Sequence, residues 1–183
     1  MDKRRCRWCN MKNPLYIEYH DNEWCVMHLD DRYLYEMLIL ESFQAGLSWE
    51  CVLNKRRYFQ EAYDDFDIDK VCLYGNEEVE RLLNNPNIIR NKLKIIASIE
   101  NSKIFRNISN EYGSFHNYLV SFTGNETIYE TDETTNWLSD VISKDLRGRG
   151  MKFVGSKIIY SYLQTIGIVY SHDKDCFLYK SSC

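Results

Sequence analysis

The chain contains 183 residues with a formal net charge of −4, and 44% of them are hydrophobic, 14% aromatic and 27% charged. This composition excludes a disordered chain, and the lack of any stretch near about 18 consecutive apolar residues excludes a membrane-spanning helix. The negative net charge excludes a uniformly basic surface, so a nucleic acid could be held only by a local basic patch.

The length predicts a single helical domain over residues 1–183, built as one body or as two small lobes. The N-terminal segment MDKRRCRW lacks the apolar core of a signal peptide, so we expect a cytoplasmic protein, and we expect a monomer. Irregular cysteine spacing in a reducing compartment favours metal ligands or buried thiols over disulfides. The cysteines are Cys6, Cys9, Cys25, Cys51, Cys72, Cys176 and Cys183.

Helical periodicity dominates the chain, beginning with two helices that meet near Gly46. Asp30 or Asp31 is predicted to cap the helix RYLYEMLILESFQA, which ends at Gly46. Ser48 is predicted to cap a second helix, WECVLNKRRYFQEAY. The second helix has one apolar stripe, formed by Trp49, Val52, Leu53 and Phe59.

Three further helices are predicted in the middle of the chain. Two short ones follow Asp67 and Asn76, and a long one follows Pro86. The core-facing residues of the long helix are expected to be Ile88, Ile89, Leu93, Ile96 and Ile99. Ser114 is then predicted to cap the helix FHNYLVSF.

The last third begins with an acidic segment, residues 123–135, which is predicted to be a surface loop and the best candidate for mobility. The helix WLSDVISKDL follows. RGRGMKFVGSK is predicted to form a hairpin, and Ser156 to cap the helix KIIYSYLQTIGIV. Hardly any strand is expected.

The glycine hairpin, residues 148–156, is the first candidate site. Its glycines let backbone N–H groups approach a ligand closely, and the start of the next helix favours an anion such as phosphate. The alternative is a turn with a solvated basic rim. The basic residues around it are Lys144, Arg147, Arg149, Lys152 and Lys157.

Glu41 is the second candidate, because it lies on an apolar face of a helix that is hydrophobic almost all round. A carboxyl group in such a position is usually paired internally or placed for function. The pairing alternative is backbone donors or an arginine, Arg56 or Arg57. The same cavity could be lined by Tyr16, Tyr19, Trp24 and Trp49.

The third candidate is a metal site, since His172 and Cys176 lie one helical turn apart near the end of the chain. Cys6, Cys9 and His20 could supply the other ligands of a tetrahedral zinc site. A closed set of two cysteines and two histidines would be structural and would join the two ends of the chain. The alternative is that these residues are unrelated.

Five motifs and the terminal His-x3-Cys of SHDKDC together resemble the bacterial 3-methyladenine DNA glycosylase I family. The resemblance runs from about residue 4 to residue 176 and is weakest through residues 102–135. The motifs are RCRW, PLYIEYHDNEW, LESFQAGLSW, IIRNKLKI, GMKFVGSKIIYSYLQTIG and SHDKDC. Departures from the family pattern are Cys25, Val26 and Met27, where Gly-Val-Pro is usual, and Val120, where tryptophan is common.

This resemblance implies an all-α helix-hairpin-helix fold with a Zn²⁺ site joining the N- and C-terminal segments. It also implies excision of N3-methyladenine from alkylated double-stranded DNA. The implied metal ligands are Cys6, His20, His172 and Cys176, which leaves Cys9 outside the site. The implied base-contacting group is Glu41, the substrate-binding aromatics are Tyr16, Tyr19 and Trp49, and the DNA-binding residues are Gly150, Lys152, Gly155 and Ser156.

The expected chemistry follows from the charge of the lesion. A cationic N3-methylated purine can be held against aromatic rings, and it is a good leaving group. We predict hydrolysis by water without a lyase step, since no lysine is evident in the pocket motif. No general base is assigned, because the first acid after the hairpin helix is Asp173, inside the metal segment. Two other classes remain open: a non-catalytic binder of damaged DNA and a zinc-stapled interaction protein.

Overall fold

The computed structural model describes residues 3–181, so the two residues at each end of the predicted domain, including Cys183, lie outside the described part. Helices account for nearly all of the regular structure. In chain order they are α1 (Pro14–Asn22), α2 (Asp31–Gln44), α3 (Trp49–Leu53), α4 (Arg56–Ala62), α5 (Ile68–Val71), α6 (Asn76–Leu83), α7 (Lys92–Tyr112), α8 (Phe115–Thr123), α9 (Trp137–Gly148) and α10 (Ser156–Thr165).

Helix α2 is the central helix. Every side chain from Leu34 to Phe43 is buried, because α3, α7, α8 and α10 pack around it. Its C-terminal end is held by Lys94 of α7, whose Nζ donates to the carbonyl oxygens of Phe43 at 2.8 Å and Ala45 at 2.5 Å. The element that carries Glu41 is therefore fixed on all sides.

The predicted N-caps of three helices are confirmed: the side chains of Asp30, Ser48 and Ser114 each accept a backbone N–H of their helix. The short helix predicted after Asp67 is present, and the side chain of Asp67 caps it. The prediction of one continuous helix after Ser48 is wrong. The chain breaks after Leu53, and α4 starts afresh at Arg56. This break brings Arg56 into ion pairs with Glu23 and Glu36.

The predicted long helix begins six residues after Pro86 rather than directly behind it. Asn91 caps α7 by accepting the N–H of Lys94, and residues 86–88 form a turn. Because Ile88 and the half-buried Ile89 lie outside this helix, they do not set its buried face: Leu93 and Ile96 are exposed, and Ile95 is buried instead. Of the five core residues predicted for this helix, Ile99 is buried within α7, and Ile88 is buried in the preceding turn.

Two short strands, β1 (Ile128–Tyr129) and β2 (Val169–Tyr170), pair in parallel and join the acidic segment to the C-terminal end of the chain. The helix predicted to run to residue 169 therefore ends at Thr165, where Gly167 with φ +82° turns the backbone. Ser156 is the first residue of α10 and not its cap, which is Gly155.

Within residues 3–181, no helix combines the length and apolar content that crossing a membrane would require. One cluster of buried apolar side chains extends from Cys6 to Cys176 and includes residues of all the long helices.

Candidate functional site

An aromatic cavity of about 470 Å³ lies between α1, α2, α3 and α10. Its aromatic rings belong to Trp8, Tyr16, Tyr19, Trp24 and Trp49. The structure thus brings together all four rings that the sequence predicts to share a cavity. Trp8 was missed: its ring meets Trp24 edge to face at a centroid distance of 4.7 Å. Its position two residues after a predicted metal ligand is the signal that could have identified it.

Helix α1, which the sequence analysis did not predict, supplies two of these rings. Asn13 caps it by accepting the N–H of Leu15, and Pro14 occupies its first position. Tyr16 and Tyr19, three positions apart, therefore lie on the same face of the helix. Burial raises the pKa of Tyr16 to about 12 and that of Tyr19 well above its ordinary value, so both stay protonated at neutral pH.

Glu41 lines the same cavity and is 1% exposed. The hydroxyl of Thr165 donates to Oε1 at 3.0 Å, while Oε2 has no hydrogen-bond partner. Burial raises the pKa of Glu41 to about 8, and the Thr165 hydrogen bond opposes that rise. The alternative that Arg56 or Arg57 pairs with Glu41 is wrong. Arg56 pairs with Glu23 and Glu36, and Arg57 pairs with Glu61.

Among the described residues, three further buried polar atoms of the cavity lining lack a partner: Oε1 of Gln44, Nε1 of Trp49 and Oγ of Ser171. Leaving such a group unpaired costs about 1 to 3 kcal/mol. Four unpaired atoms around one cavity, an amide oxygen, an indole N–H, a hydroxyl and a carboxyl oxygen, indicate that it is built to hold a flat molecule with polar edges.

The acidic segment forms part of the rim of the cavity, through Asp132, Glu133 and Thr134. Arg7 lies between two carboxylates there, at 2.6 Å from Asp132 and 3.3 Å from Asp173. The segment was predicted as a surface loop; β1 anchors it to β2, and nothing in its sequence indicated a contact with the cavity.

A second site, the Cys2His2 cluster, consists of Cys6, His20, His172 and Cys176. All four are buried, and their ligand atoms lie within 4.8 Å of one another. Nδ1 of His172 is 3.4 Å from Sγ of Cys6 and 3.5 Å from Sγ of Cys176. A tetrahedral Zn²⁺ ion with ordinary bond lengths separates sulfur and nitrogen ligands by about 3.6 Å, so these residues fit such an ion.

Surrounding groups orient the ligands of the Cys2His2 cluster. Nδ1 of His20 hydrogen-bonds Oδ1 of Asp21 at 2.8 Å, which directs Nε2 towards the cluster. The backbone N–H of Asp173 donates to Sγ of Cys6 at 3.3 Å. Cys9 is buried outside the cluster, with its thiol directed to the carbonyl of Tyr16. The ligand set favoured by the resemblance is thus the one that the fold brings together.

The glycine hairpin joins α9 to α10 and borders a groove of about 660 Å³. Gly150 has φ +105°, a backbone conformation that a residue with a side chain rarely adopts. Gly155 has open space where a side chain would lie, and α10 has no side-chain cap, so its first N–H groups are available to a ligand.

Two details of the glycine hairpin differ from the sequence-based prediction. Arg149 belongs to the predicted basic patch but pairs with Glu111 and Asp145. The backbone N–H and carbonyl of Lys152 are both bound by the side-chain amide of Asn101, so only its ammonium group is available. In the described part of the chain, Lys144, Arg147, Lys152 and Lys157 form no ion pair.

The departures from the family pattern lie outside the cavity lining. Cys25 has φ 62°, in the left-handed region that favours glycine, and its thiol accepts the N–H of Ser171 at 3.3 Å. Val120 is partly buried on α8. Neither residue lines the aromatic cavity.

Comparison with known proteins gives one consistent result. A family model described as methyladenine glycosylase matches residues 8–179. DNA-3-methyladenine glycosylase 1 of Escherichia coli (strain K12) is 40% identical over 182 residues, which are 96% of this chain and 96% of that protein. A crystal structure of 3-methyladenine DNA glycosylase I has a TM-score of 0.92 at 39% identity and covers 97% of this chain and 100% of that one. A tyrosine-to-phenylalanine variant of 3-methyladenine DNA glycosylase I, in complex with 3-methyladenine, has a TM-score of 0.87 at 32% identity, covering 91% and 93%.

Proposed function

The chain belongs to the methyladenine glycosylase family, and we propose that it excises N3-methyladenine from alkylated double-stranded DNA by hydrolysis at the aromatic cavity. It is a DNA-repair glycosylase, and its substrate is DNA that contains alkylated bases. The observation that carries the proposal is a buried carboxyl group, Glu41, with a free oxygen in a cavity lined by aromatic rings.

The lesion reaches the cavity by leaving the DNA helix. A base inside a duplex is out of reach, so the target nucleotide is everted, and a methylated adenine that pairs poorly makes eversion less costly. The cationic purine then lies against the rings of Tyr16 and Trp49, which favour a positive charge by about 0.5 to 2 kcal/mol. Normal adenine carries no such charge and gains less from the same contacts.

Glu41 makes the pocket selective for a cation. In the free protein its raised pKa, about 8, keeps the carboxyl group mostly protonated at neutral pH. A bound cation favours the carboxylate, so the group loses its proton and accepts a hydrogen bond from the exocyclic amine. The capture of a charged lesion is thereby coupled to proton release, and a neutral base gives no such gain.

Bond cleavage requires little help from the protein. The neutral 3-methyladenine leaves with the electron pair of the C1′–N9 bond, and water adds to C1′ and loses a proton. Glu41 stabilises the positive charge that develops as that bond breaks. No lysine lines the aromatic cavity, so we propose hydrolysis without a Schiff base or a lyase step.

We propose that DNA binds along the glycine hairpin, in the helix-hairpin-helix manner. Gly155 and Ser156 would present backbone N–H groups to a phosphate, and Lys152 would add its charge. The N–H of Gly150 donates to the carbonyl of Arg147, so Gly150 would contribute by letting the backbone turn close to the DNA. Thr165 lies at the opposite end of the helix that Ser156 begins, so α10 connects the DNA-binding end to the aromatic cavity.

The Cys2His2 cluster would hold Zn²⁺ as a structural ion. Its four protein ligands leave no open coordination position for catalysis, and bound zinc would stabilise the fold by joining both ends of the chain. The chain over residues 1–183 would then work as a single domain, which we propose is a monomer.

Release of free base from methylated DNA tests the function. Free 3-methyladenine in the supernatant is the expected product. Binding of methylated DNA without release of the base would instead indicate a non-catalytic binder of damaged DNA. If the protein neither bound the DNA nor released the base, it would be an interaction protein. Borohydride should trap no covalent DNA adduct; a trapped adduct would contradict hydrolysis by water alone.

A further inference from the structure

A chain of three buried hydroxyl and carboxyl groups crosses the wall of the aromatic cavity. The hydroxyl of Tyr19 lies 2.9 Å from the hydroxyl of Thr165, which lies 3.0 Å from Oε1 of Glu41. The three residues are 3%, 1% and 1% exposed, so no bulk water competes for these hydrogen bonds. They come from α1, α10 and α2, and this chain of bonds is therefore a tertiary feature.

On the basis of the proposed function, we propose that Thr165 is a positioning residue that binds one carboxyl oxygen of Glu41 and reserves the other for the lesion. A threonine hydroxyl has a single proton. When Glu41 is ionised, Oε1 can only accept, so Thr165 donates to Oε1 and must accept its second bond from Tyr19. Oε2 is left with no protein donor.

This arrangement decides how the lesion is recognised. An anionic Oε2 buried in the cavity wall lacks a hydrogen bond from the protein, and the exocyclic amine of an adenine derivative can supply one. Without Thr165, the carboxyl group could rotate, and both oxygens would be unpaired. The hydroxyl thus fixes the orientation of the carboxyl group and favours its charged form.

The other ionisable groups around the cavity do not replace this contact. From α1, Tyr16 and Tyr19 stay protonated because burial raises the pKa of each. The charged residues of the rim are Arg7, Asp132, Glu133 and Asp173. None of the four is hydrogen-bonded to Glu41, whose charge is governed by burial and by Thr165.

Thr165→Val tests the proposal, because it replaces the hydroxyl by a methyl group of nearly equal volume. We would measure kcat/KM for 3-methyladenine release across about pH 6 to 9.5. In the native chain kcat/KM should rise with pH and level off above about 8. In Thr165→Val the rise should move to higher pH by about one pH unit, a loss of roughly ten-fold at neutral pH that alkaline pH restores.

Thr165→Ser is the matched control, since it keeps the hydroxyl and should keep the native pH profile. A loss by the same factor at every pH in Thr165→Val would mean that the residue only fills space, and would overturn the proposal. An unchanged profile would overturn it as well.

A second measurement does not depend on turnover. The infrared C=O band of the protonated carboxyl group is assigned by its disappearance in Glu41→Gln, and its intensity is followed against pH. Thr165→Val should retain the band to higher pH than the native chain; equal midpoints would contradict the proposal. Absence of base release by the native chain at every pH would refute the proposed function, while the infrared result would still decide the role of Thr165.

Discussion

Replacing Glu41 by glutamine should make the protein more stable while removing its activity. A group whose pKa is raised in the folded state holds a proton that the unfolded chain has lost. The folded state therefore binds more protons between about pH 4.5 and about 8, and stability falls as pH rises through that window. Glutamine has the same shape and does not titrate, so Glu41→Gln removes this penalty.

The magnitude follows from the two pKa values, 4.5 in the unfolded chain and about 8 in the folded protein. Each pKa unit corresponds to about 1.4 kcal/mol, so the ionisation penalty is about 3 kcal/mol at pH 7 and approaches about 5 kcal/mol above pH 8. The NH2 group of the new amide finds no acceptor at the position of Oε2, which adds a constant cost of roughly 1 kcal/mol. The gain in unfolding free energy relative to the native chain should grow by about 4 kcal/mol between pH 5 and pH 9.

Urea unfolding of both proteins at pH 5, 7 and 9 measures this difference, and release of 3-methyladenine measures activity. We expect the variant to lose at least about a hundred-fold in release. Glu36→Gln is a matched control on the same helix: it breaks the ion pair with Arg56, so it should lower stability instead. A pH-independent difference between the native chain and Glu41→Gln would refute the burial argument, and retained activity would refute the role of Glu41.

Three other predictions concern the remaining parts of the molecule. Cys176→Ser should reduce bound zinc, measured by metal analysis, to well below one ion per chain and should lower the unfolding free energy by more than about 2 kcal/mol. Cys9→Ser is the control and should retain one zinc ion per chain. The reverse pattern would place Cys9 in the site. Gly167→Ala should lower the free energy of unfolding, measured with urea, by about 3 kcal/mol or more. The new Cβ would lie 2.4 Å from the backbone of Val26, and φ at this position is +82°. Gly148→Ala is the control, because there is open space around Gly148, and equal effects of the two substitutions would contradict this prediction. Lys152→Gln should weaken DNA binding and reduce the slope of the logarithm of the binding constant against the logarithm of the salt concentration by about one. Arg149→Gln should leave the salt dependence nearly unchanged, because that guanidinium is already paired, and equal slopes for the two variants would argue against a phosphate contact.

Much of the helical organisation could be predicted because local signals and tertiary packing agree. Side chains such as Asp30 and Ser114 cap their helices where the sequence indicates, since a cap depends on residues only three positions away. The predicted start of α7 was wrong because proline is favoured in the first turn of a helix and asparagine is favoured as an N-cap, so both Pro86 and Asn91 are compatible with a helix start. The buried face of the helix differs from the predicted one as well, with Ile95 rather than Ile96 in the core.

The partners of Glu41 were beyond sequence reasoning. Its burial could be predicted from the apolar residues around it, but the Thr165 hydroxyl lies 124 positions away and reaches it only through the packing of α10 on α2. Likewise, no local pattern shows that the acidic segment borders the aromatic cavity, because the parallel pairing of Ile128 with Val169 places it there. The Cys2His2 cluster could be proposed only because its residue types are rare and its spacing is compatible with a metal.

The Cys2His2 cluster divides its ligands equally between the two ends of the chain, with Cys6 and His172 separated by 166 positions. During synthesis the first two ligands leave the ribosome long before the last two, and a cysteine–histidine pair alone binds zinc weakly. Tight capture of a metal would therefore wait until Cys176 has been synthesised and the helices between the two ligand pairs have packed. A chain that stopped before His172 would lack this closure and would remain more open to proteolysis.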